Sequence, residues 1–279
     1  SSAASDVYKR QSTDSASIYL EAGKDYQLQA EYYDNRDYAI AKLQWKVPQI
    51  GKATRLDLYG EAGKAVRECE TVVAVMGINK SIEREGQDRY DIQLPADQRE
   101  FLQEIYKVNP NIILVLVAGS SLAVNWENEH LPAIVNAWYP GEQGGTAVAE
   151  VLFGDYNPAG RLPLTYYKSL EQLPAFDDYD ITKGRTYQYF KKDVLYPFGY
   201  GLSYTTFKYS NLKVDDAGKT VNVSFTLKNT GKRAGDEVAQ VYVRLPEIAG
   251  STQAIRQLKG FRRVALKAGE SRKVEITLD

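Results

Sequence analysis

Thr71-Val-Val-Ala-Val-Met-Gly77 and Ile112-Ile-Leu-Val-Leu-Val-Ala-Gly119 are two apolar, β-branched runs, each closed by glycine. Between them lie a charged loop, Ile82-Glu-Arg-Glu-Gly-Gln-Asp-Arg89, and a helical pattern over 94–108. Runs that are apolar on every residue read as strands buried on both faces. Strand, helix, strand in this length predicts a right-handed βαβ unit with parallel strands. Ligands of open parallel sheets bind just past the carboxyl ends of the strands. The charged loop lies at that end, and so does Gly119-Ser-Ser121. Any chemistry is expected there.

The helix of this unit has clear ends. Pro95 suits its first turn, Asp97 its dipole, Lys107 its last turn, and Asn109-Pro110 stops it. Phe101, Leu102, Ile105 and Val108 form the expected buried stripe. Upstream, 54–69 is compatible with a helix. Downstream, Ala133-Ile-Val-Asn-Ala-Trp138 predicts a third strand. It leads through Tyr139-Pro-Gly to a helix over 146–153, with Ala147, Val148, Val151 and Leu152 as its face and Gly154 as its cap. The middle of the chain is therefore α/β. From 155 to 207 it is irregular and too long for a plain connector, which points to a functional or domain-packing segment. After about 208 the pattern alternates, over 220–228, 237–244 and 272–278, with turns at Asn229-Thr-Gly231 and Lys267-Ala-Gly-Glu270. That is the pattern of a β-sandwich of the immunoglobulin or fibronectin kind. Residues 17–47 also alternate like strands, the tail of another β-sandwich. Residues 1–11 fit no element and are expected to lie outside any domain.

Composition narrows the functional classes. The 279 residues carry 35 basic and 36 acidic side chains, a balance that argues against a nucleic-acid surface. Cys69 is the only cysteine and His130 the only histidine, so no internal disulfide and no thiolate zinc site can form. No metal or cofactor is expected. No apolar run reaches the roughly 20 residues of a membrane span. Gly77-Ile-Asn-Lys80 lacks the glycine spacing of a phosphate loop, which disfavours a small nucleotide binder. The 21 tyrosines suit either a β-rich core or a surface for sugars, which present C–H faces and hydroxyls together.

Five segments together resemble glycoside hydrolase family 3, the β-glucosidase and β-xylosidase family. They are Glu85-Gly-Gln-Asp-Arg89 with Leu94-Pro95 and Gln98; Ala137-Trp-Tyr-Pro-Gly-Glu-Gln-Gly-Gly145; Val151 to Pro163; Gly184-Arg-Thr-Tyr-Gln-Tyr-Phe190; and Tyr196 to Phe207. Leu258-Lys-Gly-Phe261 marks a fibronectin type III-like domain. The resemblance implies an open, parallel-rich α/β sandwich of flavodoxin-like type over 51–207, then a fibronectin type III-like sandwich over 208–279, expected to be incomplete. It also implies that 12–50 is the end of a protective-antigen-type lectin insert, a β remnant at the N-terminus.

Enzymes of this family retain anomeric configuration with an Asp nucleophile on a TIM barrel and a Glu acid/base on the α/β domain. Nothing in the chain reads as eight βα units, so the barrel is an implied partner domain of the same protein and the chain alone is expected to be inactive. Glu85 matches the family's acid/base position, with Glu83 the alternative. Asp88 and Arg89 are expected to structure the loop as an ion pair. Trp138 and Tyr139 are expected at the substrate end of the third strand, although core packing is an equal reading for Trp138. Glu142 reads as a carboxylate at a helix N-terminus, His130 as an inert loop histidine, and Tyr200 and Tyr204 as packing residues. The implied substrate is an oligosaccharide ending in β-glucose or β-xylose, the implied compartment periplasmic or extracellular, and a homodimer is allowed. The competing reading is a non-catalytic module that binds sugar or protein.

Overall fold

The computed structural model describes Lys24 and residues 59–216, 218–246 and 248–278. The expectations for 1–11 and 12–50 lie outside these residues. All described residues except Lys24 fall in one compact unit, Gly51–Asp279.

The first half is α1 (Glu61–Glu68), β1 (Val72–Gly77), α2 (Ala96–Tyr106), β2 (Ile112–Val117), α3 (Asn125–His130), β3 (Ala133–Asn136) and α4 (Gly144–Phe153). The three strands form one parallel sheet in the order β1-β2-β3, with Val72 opposite Ile112 and Ile113 opposite Ala133. Helix α2 buries Leu102 and Ile105 completely, and Val66 of α1 joins them over Ala74, Ile112, Leu114 and Leu116. Val108 lies beyond the end of α2 and is exposed, so the expected stripe is one residue shorter. Asn109 explains that end. Its buried amide donates to the Cys69 carbonyl at 2.8 Å and its carbonyl accepts from Asn111 N–H at 3.0 Å, tying the ends of α1 and α2 together.

Burial on both faces holds for β2, whose Leu114 and Val115 point to opposite faces and are both buried, but not for β1. Val73 and Val75 on one face of β1 are exposed while Ala74 on the other is buried. The reason is position: among the described residues β1 is an edge strand, and α1 and α2 cover only the Ala74 face.

Helix α3 carries no apolar period and was not expected. His130 ends it, its Nδ1–H donating to the Trp126 carbonyl (2.8 Å) and its ring stacked on that of Trp126 at 4.6 Å. It is a helix residue, not a loop histidine. The same helix buries Glu127, which is 2% exposed. Burial pushes its carboxyl up, against smaller opposing effects of a backbone hydrogen bond, Arg99 and His130. A carboxyl with a raised folded pKa loses stabilising effect as pH rises from its ordinary value near 4.5 through that raised value. Glu127→Gln should therefore raise Tm at about pH 8 and leave it unchanged at about pH 4, read by thermal scans at the two pH values. An equal shift at both would show that charge burial is not the cause.

The second half is a sandwich of two antiparallel sheets, β4 (Phe207–Asp216), β5 (Val221–Asn229) and β8 (Ser271–Leu278) in one, β6 (Gly235–Val243) and β7 (Gln257–Leu266) in the other. Alternation on β5 sends Val223, Phe225 and Leu227 into a core shared with Ala239, Val264, Leu266, Val274, Ile276 and Leu278. Strands β4 and β7 escaped the sequence reading. A register shift between Ser210 and Lys213, with Asn211 at φ 55°, breaks the alternation of β4. In β7 the run Lys259-Gly-Phe-Arg-Arg263 masks the period.

The irregular segment before the sandwich packs the two halves together. Arg161 pairs with Glu237 of β6 at 2.6 Å, and Tyr209 donates to the other Glu237 oxygen at 2.8 Å. Asn157 accepts from Ser203 and from Tyr204 N–H and donates to the Ala234 carbonyl. Leu258 N–H of β7 donates to the Tyr187 hydroxyl at 3.0 Å. Tyr200 stacks on Tyr196 at 5.2 Å, and Tyr204 donates to the Val151 carbonyl under the Arg233 guanidinium.

Candidate active site

The carboxyl ends of the three strands are sewn together by side chains. Gln98 of α2 donates to the Gly77 carbonyl and accepts from Gly77 N–H, both at 2.9 Å. A Cβ on Gly77 would sit 1.8 Å from the Val117 carbonyl oxygen, so only glycine lets β1 close on β2 here. Past β3, Tyr139 lays its ring against Gly119, whose added Cβ would come within 2.5 Å of it. The Tyr139 hydroxyl reaches the Ile78 carbonyl at 3.3 Å.

The charged loop leaves β1 through an Asn79 turn. Asn79 Oδ1 accepts from Ser81 N–H and Oγ, and its carbonyl accepts from Ile82 and Glu83 N–H. Arg84 and Gln87 then exchange backbone hydrogen bonds at 3.1 and 2.9 Å, closing a tight hairpin. Glu85 and Gly86 are the two residues at its tip. Gly86 has φ +72°, the left-handed conformation that glycine adopts without cost.

The two candidate glutamates have different surroundings. Arg89 Nε holds Glu83 at 2.5 Å, and Ser120 Oγ lies 2.8 and 2.7 Å from the two Glu83 oxygens. Arg89 also donates through Nη2 to Ser120 Oγ (2.9 Å) and the Ser121 carbonyl (3.1 Å). This cluster ties the base of the loop to the end of β2. The Arg89 side chain is 9% exposed and that of Glu83 26%. Glu85, by contrast, is exposed at the tip, and its carboxylate has no partner among the described residues. The expected Asp88–Arg89 pair is not formed. Asp88 points to solvent, and Arg89 takes Glu83 as its partner, because only Glu83 reaches Ser120 as well.

Trp138 and Tyr139 stand at the same sheet edge as the loop. Trp138 is half-buried at φ +56°, a conformation bulky side chains rarely adopt and which clusters at functional sites. Glu142 does not cap α4: the N-cap is Gln143, which makes no side-chain cap bond, and Glu142 is exposed. Ser120 is the residue that sequence reasoning left without a role. Its place in Gly119-Ser-Ser121, at the ligand end of β2, was the available signal. Among the described residues, no three His, Cys, Asp or Glu side chains gather in a way that could hold a metal. None of their helices is long and apolar enough to cross a membrane.

Residues 10–204 match the glycosyl hydrolase family 3 C-terminal domain, and residues 237–279 match a fibronectin type III-like domain. The chain belongs to glycoside hydrolase family 3. Among family 3 relatives, it is 44% identical over 230 residues to a xylan 1,4-β-xylosidase of Xylanibacter ruminicola, covering 75% of this chain and 26% of that one. It is 37% identical to a periplasmic β-glucosidase of Salmonella typhimurium, covering 80% and 31%. The family 3 β-glucosidase of Bifidobacterium adolescentis superposes with a TM-score of 0.75 at 34% identity, covering 83% of this chain and 36% of that one. The chain thus spans about a quarter to a third of the length of the family 3 relatives it matches.

Proposed function

We propose that the chain is the α/β and fibronectin type III-like part of a retaining exo-β-glycosidase, and that Glu85 is its acid/base. The observation that carries the choice of Glu85 is the difference between the two glutamates of the loop. Arg89 pairs with one Glu83 oxygen and the single Ser120 hydroxyl donates to the same carboxylate, so Glu83 is engaged in holding the base of the loop. Glu85 is displayed at the tip of a hairpin whose base is fixed.

In the mechanism, Glu85 protonates the departing glycosidic oxygen while a nucleophile Asp, supplied by a barrel domain elsewhere in the protein, attacks the anomeric carbon from the opposite face. Glu85 then takes a proton from water, which releases the sugar with its β configuration retained. A general acid needs a pKa raised by burial and a neighbouring carboxylate. The barrel face would provide both. Trp138 and Tyr139 contact the sugar from the end of β3. The substrate is an oligosaccharide ending in β-xylose or β-glucose. Xylose is favoured by the two relatives named β-xylosidase, at 44% and 40% identity, over the β-glucosidases at 32–37%. Periplasmic or extracellular placement is supported by the Salmonella relative's name.

The test is stereochemical. The intact enzyme, given a nitrophenyl β-xyloside and followed by NMR, should release β-xylose first, with α-xylose appearing only by mutarotation. First release of the α anomer overturns retention. Absence of turnover on both the xyloside and the glucoside favours the binding-module reading instead.

A further inference from the structure

We infer that the outer face of the β4-β5-β8 sheet is a docking surface for a polysaccharide that carries carboxylates, as uronate-substituted chains do. Charge is divided unevenly between the two halves of the protein. Residues 208–279 carry 14 Lys and Arg against 8 Asp and Glu, whereas 59–207 carry 13 against 20. An excess confined to one domain points to an anionic partner for that domain.

The strand register shows where the excess gathers. Val223, Phe225 and Leu227 of β5 point into the core, so Ser224, Thr226 and Lys228 point out. Lys208 of β4 stands opposite Lys228, Lys213 of β4 opposite Ser224, and Lys273 of β8 opposite Thr226. Asp215 and Glu275 are the two acids at the paired positions of this face, and every other paired position is Ser, Thr or Asn. Lys273 pairs with Glu275 at 2.6 Å. Lys208, Lys213 and Lys228 are exposed and have no carboxylate partner among the described residues.

Solubility alone does not explain this placement. Lysines that protect a sheet from aggregation sit on its edge strands. Lys228 lies on the central strand, directly opposite Lys208, where like charges repel and destabilise the pair. An anion laid across both lysines removes that cost.

The layout of the face selects among anions. Lys208 and Lys213 are set apart by four residues of β5, about 14 Å of sheet. Three free charges over that length suit a chain with sparse carboxylates, and the hydroxyls and amides between them can bond sugar hydroxyls. No paired position of the face is aromatic, so neither a nucleobase nor a neutral sugar ring finds a stacking platform there. A nucleic acid is also densely charged, and it would extend past the sandwich to the acidic half, which repels it. The choice of a polysaccharide among polyanions rests on the proposed glycosidase function.

The test is a calorimetric titration of the intact enzyme with polygalacturonate. Binding should be saturable at low salt and lost at about 1 M, where the Debye length is about 3 Å. Fully methyl-esterified polygalacturonate, the same chain without its charge, should not bind. The triple variant Lys208→Thr/Lys213→Thr/Lys228→Thr should bind about tenfold more weakly, the combined worth of three exposed ion pairs. Lys259→Thr, an exposed lysine on the other sheet, should bind as the parent does. Tm of the triple variant should stay level or rise, because the repulsion between Lys208 and Lys228 is gone. Absence of saturable binding, equal binding of the ester or by the triple variant, or an equal loss in Lys259→Thr overturns the assignment. So does a lower Tm of the triple variant, which would make the lysines part of the fold, or tighter binding to phosphatidylglycerol vesicles than to polygalacturonate. Binding is read without turnover: an enzyme that binds polygalacturonate but hydrolyses neither xyloside nor glucoside would sink the glycosidase reading alone.

Discussion

Glu85→Gln in the intact enzyme should lower kcat on natural β-linked disaccharides about 10²- to 10⁴-fold, the usual contribution of a positioned general acid/base. The loss should depend on the leaving group. A disaccharide departs as a poor alkoxide and needs the proton, so its first step slows. A dinitrophenyl glycoside leaves without that help, so glycosylation survives and the covalent intermediate accumulates, because water has lost its general base. A pre-steady-state burst should therefore appear with the variant and not with the parent enzyme. Azide needs no deprotonation. It should restore turnover and give a β-glycosyl azide, identified by mass and by NMR coupling. Rescue by azide of Glu83→Gln, with Glu85→Gln near normal, would move the acid/base by two residues. Indifference of the enzyme to both changes would remove the loop from catalysis. The Glu83–Arg89–Ser120 cluster argues against the first of these outcomes, since Glu83→Gln breaks an ion pair before it removes any proton carrier.

How far this could be read in the sequence depends on how local each signal was. The parallel sheet was legible because Val72–Met76 and Ile112–Val117 are unbroken apolar runs around a capped helix, and β1, α2 and β2 fall within a residue or two of expectation. The candidate site was proposed from topology, at the carboxyl ends of these strands. What the sequence could not show was pairing between distant residues. Asp88 and Arg89 are neighbours, so an ion pair between them looked natural. The real pair, Arg89 with Glu83, depends on Ser120, which is 31 positions from Arg89 and reaches it only because β1 and β2 lie side by side. The exposed face of β1 was missed for a similar reason: a continuous apolar run does not report whether it sits at a sheet's edge. Helix α3 has no apolar period to detect, and β4 hides its period behind a bulge. Trp138 and Thr186 adopt positive φ, which no propensity scale foresees for either residue type.

The Arg89 latch provides the second large effect. Removing Arg89 leaves the Glu83 carboxylate, 26% exposed, with one serine hydroxyl and no cation. Breaking a well-buried pair costs about 3–5 kcal/mol; partial exposure of Glu83 brings the expectation for Arg89→Ala down to about 2–3 kcal/mol. The loop would also lose its tether to Ser120 and Ser121. Glu85 sits on that loop with no partner of its own among the described residues, so its placement depends on the base of the hairpin. A displacement near 1 Å costs an enzyme about 100-fold, and Arg89→Ala should reduce kcat/KM by about that factor. Arg89→Lys separates charge from geometry. A lysine restores the cation but cannot reach Glu83, Ser120 and Ser121 with one planar fork, so it should recover stability more than activity. The informative comparison is with the double variant. If the latch acts only by positioning Glu85, Arg89→Ala should cost little further activity once Glu85 is Gln, while its stability cost stays the same. Equal losses of activity in both backgrounds would mean that Arg89 touches the substrate itself, and the guanidinium, whose Nη1 is buried without a partner, would then be a direct sugar ligand instead of an anchor.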